Sequence, residues 1–351
     1  MKINVAIFII WFLNISFSIE AQQIISGRIT DATDGKPLSY VSVRIANTTV
    51  GAYTDDSGNY KLTTPGEGIY EIVVSCLGYK PVFHKLDKPQ PFHQVDIALK
   101  INEIELKEIV INAARSKHTR EHIDFFWKVI LGAKPSKKGL EVLNPEKVHF
   151  YLNNESIFTV TCNEPIEIVN HELGYHIRYV LQSFRADYRT GDLIFDGRSN
   201  FEKLTAQNIS QRYKWEKKRE EVYSVSLNHF IRALYRNQIR ENGFVIVKGN
   251  LPSRGEIELI PSEDILQIDQ DQVQLNIDSS AYLICFSKPI TKENPKIYNE
   301  IKAKTPIVML FPQQISIYPD GTYSGTLIIK EIQNRITGLS AILPIEYKRF
   351  E

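Results

Sequence analysis

The feature that most constrains this fold is a series of short alternating runs between residues 24 and 99, separated by clusters of turn-forming residues. The inward positions of three such runs are Ile25, Gly27 and Ile29, then Val41, Val43 and Ile45, then Tyr70, Ile72 and Val74. A period of two is typical of half-buried strands. The clusters between the runs contain the glycine and proline that tight turns require. Several short strands without a helical pattern predict a small β-sandwich over residues 22–100.

Four motifs in this stretch resemble one known family, in the order that the family has them. The motifs are Gly27-Arg28-Ile29-Thr30-Asp31, Gly35-Lys36-Pro37-Leu38, Thr54-Asp55-Asp56-Ser57-Gly58-Asn59-Tyr60 and Leu77-Gly78-Tyr79. They resemble the carboxypeptidase-D-regulatory-like domain, a transthyretin-like or Ig-like sandwich common in cell-envelope proteins of the Bacteroidetes type. In the TonB-dependent transporters that often carry it, this domain is not catalytic. The resemblance therefore implies an accessory module of the cell envelope.

An alternating run at residues 101–112 resembles the connecting strand that follows such domains in the transporters. A transporter would continue with a plug and a barrel of several hundred residues, whereas about 240 residues follow here. We therefore expect a protein with this sandwich but without the transporter barrel.

Residues 113–351 combine helical and strand-like patterns. Ile123, Phe126, Trp127 and Ile130 have helical spacing, and Gly132 is a typical helix stop. A second helical section is predicted from Ser210 to Glu241. Strands are predicted at residues 148–152, 157–161, 166–169, 175–184, 244–247, 281–286, 307–311 and 325–329. The whole chain is thus expected to be mainly β plus α+β, with a sandwich followed by an α+β domain of unassigned function.

Two segments of this second region carry a weaker resemblance. Ile166 to Tyr175 and Leu343 to Tyr347 resemble parts of a C-terminal region that accompanies the sandwich in other envelope proteins of unassigned function. This resemblance transfers no catalytic residues.

The N-terminus has the pattern of a secretory signal peptide. Lys2 precedes an apolar run from Val5 to Leu13, and a small residue, Ala21, stands at a suitable cleavage point. Cleavage there would remove residues 1–21 and leave Gln22 first; the alternative is a buried N-terminal strand. The run is shorter than the roughly 20 apolar residues of a membrane-spanning helix, and no transmembrane helix is predicted in the mature chain.

Charge and cysteine content limit the classes of partner and site. Lys and Arg number 42 and Asp and Glu 41, a net charge of +1 that argues against nucleic-acid binding. The three cysteines allow at most one internal disulfide. We expect Cys76, Cys162 and Cys285 to be small buried residues, and whether Cys162 and Cys285 pair stays open.

Two histidine motifs resemble zinc-peptidase patterns but lack their geometry. His171 and His176 are five positions apart, whereas two zinc ligands on one helix need a spacing of four. Gly174 and β-branched neighbours favour a strand or turn there. His118 and His122 fit the inverted pattern H-x-x-E-H, but at 100° per residue both lie towards solvent. We predict no catalytic residues, no metal ligands and no cofactor.

These observations favour a non-enzymatic, exported binding or scaffolding protein of the periplasm or outer membrane. An envelope hydrolase of the peptidase type, with the sandwich as accessory module, is the first alternative. The second is an accessory protein of an outer-membrane nutrient-import complex that binds glycan or peptide. The expected partner is an envelope protein or a glycan or peptide ligand.

Overall fold

The computed structural model describes residues 22–102, 117–153, 156–248, 258–269, 272–277, 281–285, 307–310, 313–324, 329–331 and 338–348. Over these ranges the chain is mostly β, with an N-terminal sandwich followed by a mixed α+β region, which confirms the predicted fold class. The predicted signal peptide lies outside the described residues. So does the predicted connecting strand beyond Asn102.

The sandwich consists of eight short strands. They are β1 (Ile24–Asp31), β2 (Ser42–Ile45), β3 (Gly51–Tyr53), β4 (Asn59–Thr63), β5 (Glu71–Ser75), β6 (Val82–Lys85), β7 (Phe92–Gln94) and β8 (Ile97–Leu99). One sheet has the order β4-β1-β7, with β8 also paired to β1, and the other has the order β3-β2-β5-β6. The inward residues expected from the period of two, including Ile25, Val43 and Ile72, are fully buried in one core.

A helix and a six-stranded sheet follow. They are α1 (Lys117–Leu131), β9 (Leu140–Val142), β10 (Val148–Leu152), β11 (Ile157–Cys162), β12 (Ile166–Asn170), β13 (Tyr175–Asp187) and β14 (Asp192–Lys203). The order is β10-β11-β13-β12-β9, and β14 pairs with β13 along its whole length. The predicted apolar face of α1 packs Phe126, Trp127 and Ile130 into the core of this sheet. Gly132 ends the helix with φ +74°.

The remaining elements complete the α+β region, which contains a second core. They are α2 (Ile209–Ser224), α3 (Leu227–Tyr235), β15 (Phe244–Lys248), β16 (Glu258–Ile260), β17 (Leu266–Asp269), β18 (Gln272–Ile277), β19 (Ala281–Cys285), β20 (Ile307–Leu310), β21 (Gln313–Ile317) and β22 (Ile329–Glu331). The two sheets have the orders β16-β15-β19-β20-β22 and β17-β18-β21. Helix α3 buries Phe230, Ile231 and Leu234 against Phe244 and Leu275. Short 3-10 helices occupy Pro145–Lys147, Ser262–Asp264 and Leu339–Ala341.

The prediction of one helical section up to Glu241 is wrong in two respects. The section is broken after Ser224, because Ser226 caps a new helix by accepting the N–H of His229 at 3.2 Å. The second helix then ends at Tyr235, before Asn237 adopts a positive φ of 53°. Asn242 and Gly243 lie in the turn that leads into β15.

A turn of the sandwich is hydrogen-bonded to the edge of the six-stranded sheet. The N–H of Asn47 donates to the carbonyl of Ser199 at 2.6 Å, and the N–H of Phe201 donates to the carbonyl of Thr48 at 3.0 Å. The side-chain amide of Asn200 also donates to the carbonyls of Ile45 and Thr48. The outer edge of β14 therefore holds the sandwich through backbone hydrogen bonds.

The cysteines differ in part from the expectation of buried residues. Cys76 and Cys162 are free thiols and only half-buried, so Cys162 forms no disulfide. The Cys162 thiol donates to the carbonyl of Glu164 at 2.9 Å, and burial raises its pKa. The side chain of Cys285 lies outside the described residues.

Within the described ranges, no helix has the length and apolar character needed to cross a membrane.

Candidate binding cleft

A cleft of about 310 Å³ opens where the sandwich, the six-stranded sheet, helix α2 and the C-terminal segment meet. Its volume is at the lower end of the range for small-molecule sites, about 300–1,000 Å³. The lining residues are Thr49, Tyr175, Lys203, Leu204, Ala206, Arg212, Trp215, Glu216, Arg219, Pro344, Glu346, Tyr347 and Lys348.

The floor of the cleft rests on the turn between β12 and β13. The buried Asn170 side chain accepts the N–H groups of Glu172 and Leu173 at 3.1 and 2.9 Å. Gly174 has φ +64°, and the indole of Trp215 lies so close that a Cβ on Gly174 would be 2.3 Å from it. Only glycine satisfies both conditions without strain.

Helix α2 is fixed to this turn by two side chains. The indole N–H of Trp215 donates to the carbonyl of His171 at 2.8 Å. The Arg219 guanidinium donates to the carbonyls of Leu173 and Gly174 and lies 4.3 Å from the ring centre of Tyr175. Burial raises the pKa of Tyr175 to about 12, so its phenol is neutral near pH 7. The aromatic part of the cleft is therefore rigidly held.

The C-terminal segment forms the opposite wall and contacts the sandwich. Glu346 Oε1 accepts the N–H of Thr49 at 2.7 Å and also its hydroxyl. The Arg232 guanidinium holds the backbone of this segment by donating to the carbonyls of Ile345 and Tyr347. Glu346 Oε2 and the Tyr347 hydroxyl are buried and have no hydrogen-bond partner among the described residues. Such unsatisfied polar atoms cost about 1–3 kcal/mol each.

The rim of the cleft carries charges of both signs. Arg212 and Glu216 form an ion pair at 2.8 Å on successive turns of α2. Lys203, at the end of β14, is exposed beside them. The arrangement combines the half-buried Tyr347 ring with exposed cations and carboxylates, which can hold a polar ligand by apolar contact and hydrogen bonds.

The structure separates the two histidines of the His171–His176 motif. His171 lies in the turn and His176 on β13, which confirms the strand-or-turn interpretation. His171 Nε2 is 2.9 Å from Glu141 Oε2, and His176 Nε2 is 2.9 Å from Glu167 Oε2. His176 Nδ1 also lies 3.7 Å from Glu202 Oε2, so the two imidazoles face different carboxylates rather than a shared centre.

His122 is half-buried, so the expectation that it lies towards solvent is met only in part. Its imidazole Nδ1 is 2.7 Å from the hydroxyl of Tyr188, and its ring packs against Tyr188 and Phe158. The reason is that the tip of the β13–β14 hairpin reaches the first turns of α1. The side chain of His118 lies outside the described residues. In the described part of the chain, no three His, Cys, Asp or Glu side chains converge on a common point. The absence of a metal site stays a prediction.

No functional role was predicted for the residues of the cleft, but one sequence pattern marks part of the cleft. The two segments with the weaker resemblance, Ile166 to Tyr175 and Leu343 to Tyr347, form its floor and its C-terminal wall. No sequence pattern marks Thr49 or the residues of α2 as part of the cleft. They reach the cleft only because the sandwich and the helix pack against the six-stranded sheet.

Comparison with known families confirms the resemblance of the N-terminal part. The CarboxypepD_reg-like domain family matches residues 25–111. No curated protein matches the chain.

Solved structures show only weak likenesses. A chain of a type II cohesin–X-dockerin complex from Acetivibrio cellulolyticus is 19% identical over 21% of this chain and 51% of its own, with a TM-score of 0.19, so this chain spans about half its length. A DUF3823 family protein from Bacteroides ovatus is 9% identical over 53% and 82% of the two chains, with a TM-score of 0.19. A Bacteroides fragilis protein of unknown function, described as membrane-associated, is 13% identical over 89% and 96%, with a TM-score of 0.18. At such TM-scores these likenesses support no conclusion about this chain.

Proposed function

We propose that this chain is an exported, non-enzymatic cell-envelope protein that binds a small polar ligand in this cleft. The ligand class is a glycan fragment or a short peptide. The sandwich acts as a structural module that completes the binding site.

The observation that carries this proposal is the cleft itself, which is lined by the Glu346 carboxylate and by the exposed cations Lys203 and Arg212. A carboxylate in such a cleft can accept a hydrogen bond from a donor such as a hydroxyl or an ammonium group. Glycans and peptides both carry such donors. Their carboxylate or hydroxyl groups can in turn accept hydrogen bonds from Lys203 or Arg212 at the rim.

Binding also depends on the sandwich in this proposal. Thr49 holds the Glu346 side chain through its N–H and hydroxyl, and Thr49 belongs to the turn that follows β2. A displacement of the sandwich would therefore release Glu346 from its position. The same contact explains how a module without catalytic groups can contribute to a site.

The hydrolase alternative receives less support. A hydrolytic triad needs a nucleophile hydrogen-bonded to a histidine that a carboxylate orients. His171 and His176 each face a carboxylate, but neither is among the residues that line the cleft.

Thermal denaturation of the chain beginning at Gln22 tests the binding proposal. One panel contains neutral and acidic oligosaccharides, and the other contains peptides of two to four residues. At least one class is expected to raise the melting temperature with saturation. Lys203→Glu is expected to abolish that rise. Lys214→Glu is the matched control, because Lys214 is exposed on α2 but does not line the cleft.

The proposal fails if neither panel shifts the melting temperature. It also fails if the two lysine variants respond alike, because the ligand would then bind elsewhere.

Export is tested separately by N-terminal sequencing of the protein from an envelope fraction. The mature chain is expected to begin at or near Gln22, and an intact Met1 in that fraction would contradict export through a cleaved signal peptide.

A further inference from the structure

The tip of the β13–β14 hairpin exposes three consecutive large apolar residues. Leu193, Ile194 and Phe195 are 36%, 57% and 46% exposed. Consecutive residues of a strand point to opposite faces, so this part of β14 carries apolar side chains on both faces. Leu193 and Phe195 lie at the edge of the core, opposite Ala186 and Phe184 of β13, but they keep a large exposed fraction, and none of the three residues lines the cleft.

The same residues lie on an edge of the sheet. From Asp192 to Asp196, β14 pairs with β13 on one side, and no other strand of the described chain pairs with it on the other. In an antiparallel pair, every second residue turns its N–H and C=O away from the partner strand. An exposed apolar edge of this kind is a template for a further strand.

The continuation of this edge already binds another part of the chain through backbone hydrogen bonds. At Ser199 and Phe201, β14 exchanges backbone hydrogen bonds with Asn47 and Thr48, which lie in a turn of the sandwich. The free stretch is thus continuous with an edge whose outward backbone groups already bind backbone of another part of the chain.

The side chains around the unpaired stretch Asp192–Asp196 indicate what kind of segment it can bind. Ile194 shares its face with Asp192 and Asp196, and Leu193 and Phe195 share the other face. Asp196 and Glu71 both pair with Arg198, which leaves that group with a net negative charge. Asp192 accepts the hydroxyl of Thr190 at 2.6 Å. Two arginines lie near the turn: Arg185, on β13 directly opposite Ile194, and Arg189 both pair with Asp187, which is itself directly opposite Asp192.

A second copy of this chain fits this pattern poorly. Antiparallel self-pairing centred on Ile194 would place Asp192 opposite Asp196, and like charges directly opposite each other are destabilising. The complement is a strand with apolar residues opposite Leu193, Ile194 and Phe195 and with cations at both ends.

We infer that Asp192–Asp196 binds an extended segment of a partner protein by strand addition, and that this segment has three apolar residues between two basic ones. Main-chain hydrogen bonds supply the attachment, and the flanking charges select the segment. This surface is separate from the cleft, so its test is independent of the proposed ligand.

The probe is a fluorescein-labelled peptide, Lys-Val-Ile-Val-Lys, capped at both ends and titrated with the chain beginning at Gln22. Saturable binding is expected in fluorescence anisotropy. Ile194→Lys is expected to weaken it at least about tenfold, because it places a cation opposite the apolar centre of the peptide. Ile268→Lys is the matched control, since Ile268 is an exposed isoleucine on another strand, β17. Unchanged melting temperatures show that both variants fold.

Two altered peptides separate strand addition from other contacts. Glutamate in place of both lysines is expected to weaken binding, and N-methylation of alternate amides is expected to abolish it, since it removes the backbone donors. The inference is overturned if the first peptide does not bind or if the N-methylated peptide binds equally well. It is also overturned if sedimentation shows a dimer that Ile194→Lys dissociates, because the edge would then pair with a second copy.

Discussion

The hydroxyl of Tyr70 donates a hydrogen bond to Asp320 Oδ2 at 2.6 Å, joining residues that are 250 positions apart. Asp320 Oδ1 accepts the N–H and the hydroxyl of Thr322, whose hydroxyl oxygen also accepts the N–H of Ile69. Burial raises the pKa of both Tyr70 and Asp320. This polar contact fixes the sandwich to the turn that follows β21, next to Glu71, which pairs with Arg198 of β14.

Replacing Tyr70 with phenylalanine tests this contact. Asp320 loses a donor while it stays buried, so the free energy of unfolding is expected to fall by about 1–3 kcal/mol. The control is Tyr79→Phe, which removes the hydroxyl that donates to Asp31 within the sandwich, near solvent. Urea unfolding is expected to show a smaller loss for the control. Equal losses would mean that the hydrogen bond between Tyr70 and Asp320 stabilises the fold no more than a hydrogen bond near the surface.

A pair of glycine substitutions tests the packing beneath the cleft. Gly174→Ala places a methyl group against the Trp215 indole at a positive φ, and is expected to cost about 2–4 kcal/mol. Gly191→Ala is the matched control, since Gly191 also has a positive φ, +79°, but has open space around it. It is expected to cost about 1–2 kcal/mol from backbone strain alone. If urea unfolding gives equal losses, Trp215 does not lie against Gly174.

The ion pair of His176 and Glu167 predicts a pH dependence of stability. The Glu167 carboxylate raises the pKa of His176 above its usual 6.5, against the opposing effect of burial. The folded state therefore binds the proton more tightly than the unfolded state. Its contribution to stability is complete below pH 6.5 and is lost as the pH rises through the higher pKa of the folded state.

The expected outcome is a difference between the native chain and His176→Gln. As the pH rises above 6.5, the native free energy of unfolding falls relative to that of the variant. Glu167→Gln is expected to weaken the same dependence, and the part that remains comes from Glu202, whose Oε2 lies 3.7 Å from His176 Nδ1. A native chain whose stability changes with pH in parallel with both variants would contradict this assignment.

The sandwich, α1 and strands β10 to β13 could be predicted because each has a short-range apolar pattern with one buried face. Strand β14 could not. Its tip exposes apolar residues on both faces, and Gly197 stands where a Cβ would be 2.4 Å from the Tyr179 ring. Alternation is lost when a strand faces solvent at one end and packs closely against an aromatic ring further along.

The cleft was harder to predict than the fold. Thr49, Tyr175, Trp215 and Glu346 come from four distant parts of the chain, and none belongs to a motif with a known chemical role. What joins them is the docking of the sandwich on β14 and of α2 on Gly174. These contacts are long-range, and most of them end on backbone carbonyls, which leave no pattern in the sequence.

The most direct test of ligand binding at the junction uses the fluorescence of Trp215. In the chain beginning at Gln22, Trp127→Phe leaves Trp215 as the sole tryptophan. A ligand that raises the melting temperature is expected to change the Trp215 emission with saturation over the same concentrations. Adding Lys203→Glu is expected to remove both effects. A ligand that raises the melting temperature but leaves the Trp215 emission unchanged, or that binds equally well with Lys203→Glu, would contradict binding in this cleft.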